Sequence, residues 1–205
     1  MICAVVLAAG LSRRMGTQKL LLPFAGKTVV AHIVDQIIAS TVDDVHVVVG
    51  HEGGQVSREL SDRPVSVVTN PDYKSGMLSS VRCGLTALGQ QCRAVLVVLG
   101  DQPSITSKLI DQMLESFTTT EKQILVPFYN GRRGHPVLFS AGYRDEILTH
   151  YDDVGLRGLL HAHPDEVFEL RVPSSAVLLD MDCPEDYRRQ LALIEEENAR
   201  KENYR

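Results

Sequence analysis

The feature that most constrains this chain is an alternation of short, β-branched apolar runs with amphipathic stretches. Ile2–Leu7, Val45–Val49, Val65–Val68 and Ala94–Leu99 read as strands buried on both faces, each followed by a polar or Gly-containing loop. Between them, Thr28–Ala39 places Val30, Ile33, Val34, Ile37 and Ile38 on one helical face, with Thr28 as N-cap. Gly53–Leu60, Met77–Leu88 and Ser107–Phe117 read as further helices, with Ser75 and Thr106 as caps. This order predicts an α/β chain, a Rossmann-like three-layer α/β/α fold around a mostly parallel sheet with right-handed crossovers. Ligands of such sheets bind at the carboxyl ends of the strands, so the loops after Leu7, Val68 and Leu99 should converge.

The second half is less regular. Ile124–Pro127 and Pro136–Ser140 are candidate strands around the Gly131–Pro136 turn, which predicts a partly mixed sheet. A last helix from about Pro184 runs into the charged stretch Glu195–Arg205, expected to fray in solvent. The 205 residues suit one domain, placed at 1–190, with 191–205 as helix end and tail. With 5% aromatic residues and no Trp, its core must be built from Val, Leu, Ile and Ala.

A net charge of −5 argues against nucleic acid or an anionic membrane as partner, since neither offers a counter-charge. The apolar start has no basic segment before it, and Arg13 and Arg14 follow it, the reverse of a signal peptide. Cys3, Cys83, Cys92 and Cys183 form no C-x-x-C pair, so neither a zinc site nor a disulfide framework is expected. A cytoplasmic location is the expectation.

Candidate chemistry begins at the first loop. Leu7-Ala8-Ala9-Gly10 leads through Arg13 and Arg14 to Lys19, giving small residues for close backbone approach and three cations for phosphate charge. A solvated turn fits the composition equally. Gly10 and Gly16 are too far apart for a Walker loop, and G-x-G-x-x-G occurs nowhere. Asp101 follows the fourth strand directly and suits Mg²⁺, which takes one or two carboxylates beside phosphate and water; a turn or N-cap Asp is the alternative.

Asp180 and Asp182 alternate on an extended segment, so only one can face the site. Asp182 is favoured, Asp180 is its rival, and a capping role competes for Asp182; Glu185 and Asp186 suit the following helix N-terminus. Asn70, Ser75 and Gly76 are candidates for base or ribose contacts, with turn chemistry as their alternative. His135, in a Gly-Pro-bounded turn, and Arg157 are candidates for acceptor contacts, with a surface ion pair as the alternative for Arg157. His161 and His163 face apart on a helix and lack a third ligand.

Leu7-Ala-Ala-Gly-x-Ser-x-Arg-Met-Gly-x-x-Lys19 resembles the signature loop of the MobA/MocA-like nucleotidyltransferases. The resemblance continues through Asn70–Ser80, Leu99–Pro103, Arg133–Phe139, Asp153–Arg157 and Asp180–Asp186, with Ala9 and Gln102 favouring the MocA branch. It implies the nucleotide-diphospho-sugar transferase type of fold. It also implies transfer of CMP from CTP, with Mg²⁺, to the terminal phosphate of a molybdopterin-type molybdenum cofactor, releasing pyrophosphate. Arg14, Lys19 and Asp101 take the catalytic positions, and the client of the product would be a xanthine-dehydrogenase-type molybdoenzyme. A nucleotidyltransferase acting on a sugar phosphate or another phosphorylated acceptor, and a non-catalytic chaperone that hands finished cofactor to its client, remain rivals.

Overall fold

The computed structural model describes the backbone of residues 1–202 and the side chains of residues 1–195. The strands are β1 (Ile2–Ala8), β2 (Pro23–Phe24), β3 (Lys27–Thr28), β4 (Asp44–Val49), β5 (Ser66–Thr69), β6 (Ala94–Leu99), β7 (Ile124–Tyr129), β8 (Arg132–Arg133), β9 (Val137–Ser140) and β10 (Val167–Arg171). The helices are α1 (Val29–Ile38), α2 (Gly53–Glu59), α3 (Met77–Ala87), α4 (Ser107–Thr119), α5 (Arg144–Thr149), α6 (Leu156–Ala162) and α7 (Pro184–Glu202).

Seven strands lie in the order β10-β7-β9-β6-β1-β4-β5, with β8 pairing to β7, and β2 and β3 form a separate hairpin. β6, β1, β4 and β5 are mutually parallel, whereas β9 runs antiparallel to both β6 and β7. The mostly parallel, partly mixed sheet expected from the sequence is therefore observed.

Alternation along the strands sends side chains to two cores. Ala4, Val6 and Ala8 of β1 meet α1, α2 and α4 on one face, while Cys3 and Val5 meet α3, α5 and α6 on the other. Ile33 and Ile37 of α1 are fully buried, each stabilising the fold by about 2 kcal/mol. Gly84 lets α3 lie close on β1: a Cβ there would sit 2.3 Å from Val5 Cγ1. Gly84→Ala is expected to destabilise the protein by about 1–3 kcal/mol, read as a lower denaturation midpoint with unchanged m.

Thr28 and Thr106 cap their helices, accepting from the N–H groups of Ala31 and Leu109. Ser75 does not. Gly76, at φ 104°, is the N-cap of α3, and Ser75 lies in the short turn before it. The third strand begins at Ser66 rather than Val65. Helices α5 and α6 are only 6 and 7 residues long, too short to show a sustained period in the sequence. The fraying expected of Glu195–Arg205 concerns side chains outside the described residues from 196 onward. Among the described residues, no helix is long and apolar enough to cross a membrane, and all four cysteines are free.

Candidate functional site

The exits of β1 and β6 meet because Gly100 carries no side chain. Its N–H donates to the Leu7 carbonyl at 3.0 Å, and a Cβ there would lie 2.7 Å from that oxygen. Asp101 is thereby held beside the loop that follows β1. Two polar residues curl that loop, Ser12 of the signature pattern and Gln18, neither of which had a role assigned from the sequence. Ser12, at φ 50°, donates through Oγ to Gln18 Oε1 at 2.8 Å and accepts from the Lys19 N–H at 3.2 Å. Buried Gln18 donates to the His51 carbonyl at 3.0 Å. Their signal was faint, because Ser and Gln in a loop look like ordinary solvated residues.

Lys19 is itself buried, and its ammonium reaches two carboxylates. Nζ donates to Asp101 Oδ2 at 2.6 Å and to Asp182 Oδ1 at 3.0 Å. Arg14 closes the group from the solvent side, with Nη2 2.7 Å from Asp182 Oδ2. Burial alone would lower the Lys19 pKa, but Asp101 and Asp182 together raise it, so the side chain stays charged.

Asp182 arrives through the segment before α7. Met181 is fully buried, its N–H donates to the Asp101 carbonyl at 2.9 Å, and its neighbours diverge to either side. Asp182 faces Lys19, while Asp180 turns away and accepts from Gln102 Nε2 at 2.7 Å. Asp186, in the first turn of α7, accepts from the N–H groups of Asp182 and Cys183 at 3.2 and 3.0 Å, the backward bond of a capping box that fixes the chain entering the helix.

These residues surround a cleft of about 280 Å³ lined by Leu7, Gly10, Arg13, Arg14, Lys19, Asp101 and Asp182, among others. Nothing lies within 4 Å of the place a Gly10 Cβ would occupy, leaving room for a ligand to approach the backbone. Ala8 and Ala9 are buried behind this wall. The oxygen donors suit a hard cation: two carboxylates converge on one positively charged atom, with open space beside them for phosphate oxygens. Among the described residues, no cluster of three or more His, Cys, Asp or Glu side chains could hold a metal without a ligand's help.

A larger pocket of about 750 Å³ is lined in part by Ser75, Gly76, Gln102, His135, Arg157 and Asp180, and Gln102 follows directly on Asp101 of the first cleft. Ser75 and Gly76 thus stand with His135 and Arg157, not with the 10–19 loop. Asn70 lines neither space. Its amide donates to Ser79 and Ser80 and accepts from the Asp72 N–H, so it organises the turn before α3. Gly134 allows close packing here, since its Cβ would lie 2.3 Å from the Val177 carbonyl oxygen. Burial lowers the His135 pKa and adjacent Arg157 adds to that, against the pull of Asp101, so the imidazole is neutral near pH 7. His163 pairs with Glu146 at 2.9 Å.

Asp180 has a raised pKa. Desolvation is the leading cause, with Asp101 and Asp182 adding to it against the Gln102 hydrogen bond. A raised carboxyl binds more protons in the folded state, so stability falls as pH climbs from the ordinary Asp range to the raised value. Asp180→Asn is therefore expected to raise the melting temperature at pH 7, the gain shrinking as pH falls and vanishing below about pH 3, where the carboxyl is protonated in both states. An equal gain at both pH values would rule out this cause.

Residues 4–167 match the family model described as the MobA-like NTP transferase domain. The chain is 26% identical over 187 residues to the molybdenum cofactor cytidylyltransferase of Escherichia coli (strain K12), covering 89% of this chain and 92% of that one. It is 30% identical over 199 residues to nicotine blue oxidoreductase of Paenarthrobacter nicotinovorans, covering 93% and 96%. Among solved structures, a nucleotidyl transferase from Methanothermobacter thermautotroptrophicus superposes with a TM-score of 0.84 at 26% identity, covering 96% of this chain and 98% of that one.

Proposed function

The chain belongs to the MobA-like NTP transferase family, and on that premise we propose that it is a Mg²⁺-dependent cytidylyltransferase acting on molybdopterin-type molybdenum cofactor. The observation that carries this reading is the convergence of Lys19, Arg14, Asp101 and Asp182 at the phosphate-sized cleft. Cations and carboxylates in one place are what a triphosphate and its divalent metal together require.

In this reading the Gly10 backbone, Arg13, Arg14 and Lys19 hold the triphosphate, and Asp101 and Asp182 hold Mg²⁺. When bound, the metal neutralises charge on the phosphate oxygens. The acceptor occupies the larger pocket beside His135 and Arg157 and points its terminal phosphate across Asp101–Gln102. An oxygen of that phosphate forms a bond to the α-phosphorus of CTP as the bond to the β-phosphate bridging oxygen breaks. The electron pair leaves with pyrophosphate, where Arg14 and Lys19 meet the growing charge. No general base is needed, because a phosphate monoester is anionic near neutral pH. Neutral His135 contributes a hydrogen-bonding ring rather than a charge.

The test is pyrophosphate release from CTP, GTP, UTP and ATP, each with purified molybdenum cofactor and with sugar phosphates, with and without Mg²⁺. The expected result is release with CTP, cofactor and Mg²⁺ together. Release only with a sugar phosphate, or binding of no nucleoside triphosphate under any metal condition, overturns the proposal. Parallel assays with NADH and NADPH separate it from redox chemistry of the kind named for the Paenarthrobacter relative. If maturation of a molybdoenzyme survives Asp101→Ala, the non-catalytic chaperone replaces the transferase.

A further inference from the structure

The proposed reaction asks Lys19 to meet the triphosphate, yet its ammonium is already engaged elsewhere. Nζ donates to Asp101 Oδ2 at 2.6 Å and to Asp182 Oδ1 at 3.0 Å, the same carboxylates to which the divalent ion is assigned. The other Asp182 oxygen is taken as well, 2.7 Å from Arg14 Nη2. Among the described residues, Asp101 Oδ1 is the one oxygen of this pair without a cation beside it.

The two cations hold these oxygens unequally. Arg14 keeps 71% of its side chain exposed, so water and salt weaken its pair. Lys19 keeps 10% exposed, and its charge is compensated chiefly by Asp101 and Asp182. A divalent ion brought to the same carboxylates would face a like charge at close range in a poorly hydrated place, where repulsion is strong. With the ammonium removed, the two carboxylates become an uncompensated acidic pair that attracts a hard cation.

Only the side chain has to move for such an exchange. The Lys19 N–H is tied to Ser12 Oγ at 3.2 Å, and its carbonyl accepts from the Leu22 N–H at 3.3 Å, which fixes the backbone in its short turn. The long aliphatic stem remains free to swing the ammonium. Open space lies beside Gly10 in the same cleft, and Arg13 lines it too. A polyphosphate there offers Nζ anionic oxygens in place of the carboxylates, and its charge offsets the ammonium and the ion together.

We propose that Lys19 is a resident counter-ion that excludes divalent metal from Asp101 and Asp182 until a polyphosphate draws the ammonium away, so that metal and nucleotide bind as a coupled pair. The proposal rests on the small cleft being the triphosphate site. It concerns the order in which that site fills, not the identity of donor or acceptor. The coupling is reciprocal, so each ligand favours the other.

Its test reads binding, without turnover. Mn²⁺ is titrated by electron paramagnetic resonance into nucleotide-free wild-type protein, Lys19→Met, Lys19→Arg, Arg14→Met and Lys19→Met/Asp101→Asn. Inorganic tripolyphosphate is titrated separately in EDTA. The expected result is Mn²⁺ binding about tenfold tighter in Lys19→Met than in the wild type, no gain in Lys19→Arg, and loss of the gain in the double variant. Tripolyphosphate binding should move the other way, about tenfold weaker in Lys19→Met. Opposite signs separate this role from a structural one, because a loosened fold weakens both ligands. Lys19→Gln, which keeps a neutral donor between the carboxylates, is carried in parallel and gives the same reading if Lys19→Met does not fold.

Equal or weaker Mn²⁺ binding in the neutral Lys19 variants, or no tripolyphosphate binding by the wild type, overturns the exclusion. An equal gain in Arg14→Met assigns the effect to Arg14 and removes Lys19 from it. A gain that survives Asp101→Asn puts the ion outside this pair and likewise overturns the proposal. Failure to transfer from CTP leaves a measured exclusion standing, whereas unchanged Mn²⁺ binding removes the exclusion and leaves the proposed transfer intact.

Discussion

Lys19→Met is expected to lower kcat by about 10²–10³-fold, the largest effect of any cation in the site. The reason is its position. Arg14 stands mostly in water with 71% of its side chain exposed, while Lys19 keeps only 10% exposed and touches both Asp101 and Asp182. In the reaction proposed above it is the one desolvated cation beside the triphosphate, and charge stabilisation strengthens as water is excluded. The substitution also leaves two carboxylates facing each other with only Arg14 to offset them. A fully buried pair broken in this way costs about 3–5 kcal/mol; with 34% of the Asp182 side chain exposed, about 1–3 kcal/mol is expected. Single-turnover pyrophosphate release and a denaturant melt measure the two effects separately. Activity within tenfold of wild type would remove Lys19 from the chemistry.

Asp101→Asn is the second large prediction, with kcat expected to fall on the order of 10³-fold. The amide preserves the shape and can still accept from Lys19, so the fold should hold. What is lost is one of the two negative charges available to a divalent ion at this cleft. The diagnostic is a Mg²⁺ titration: the half-saturating concentration should rise in Asp101→Asn and in Asp182→Asn, and remain unchanged in Asp180→Asn. A rise confined to Asp180→Asn would exchange the roles of the two C-terminal carboxylates. The geometry favours Asp182, because it shares the Lys19 ammonium with Asp101, whereas Asp180 is engaged by Gln102 on the far side of Met181.

Much of this was legible in the residues. The β-branched runs located β1, β4 and β6 to within two residues, because strands buried on both faces leave little choice of composition. Asp101 stood out as a carboxylate directly after such a run. The alternation of Asp180 and Asp182 announced that they would part, as they do about buried Met181. Family resemblance supplied the donor and acceptor, which no local pattern could name. The turns were less legible. Ser75 fits the composition of a helix cap, but Gly76 holds that position, with the backbone at a positive φ favouring glycine. Asn70 matched a ligand-binding loop by position, yet its amide is used within its own turn.

The sequence by itself determined the layer order, the strands and the residue types available at their carboxyl ends, since periodicity and burial are local properties of the chain. Only the tertiary structure decided which of those residues meet. Lys19 and Asp182 are 163 positions apart, and their contact depends on Gly100 drawing two strand exits together and Met181 anchoring a third segment against Asp101. The same long-range packing put Ser75 and Gly76 beside His135 rather than beside the first loop. A loop's composition states what it can bind. The distance from that loop to every other is set by the sheet and helices between them.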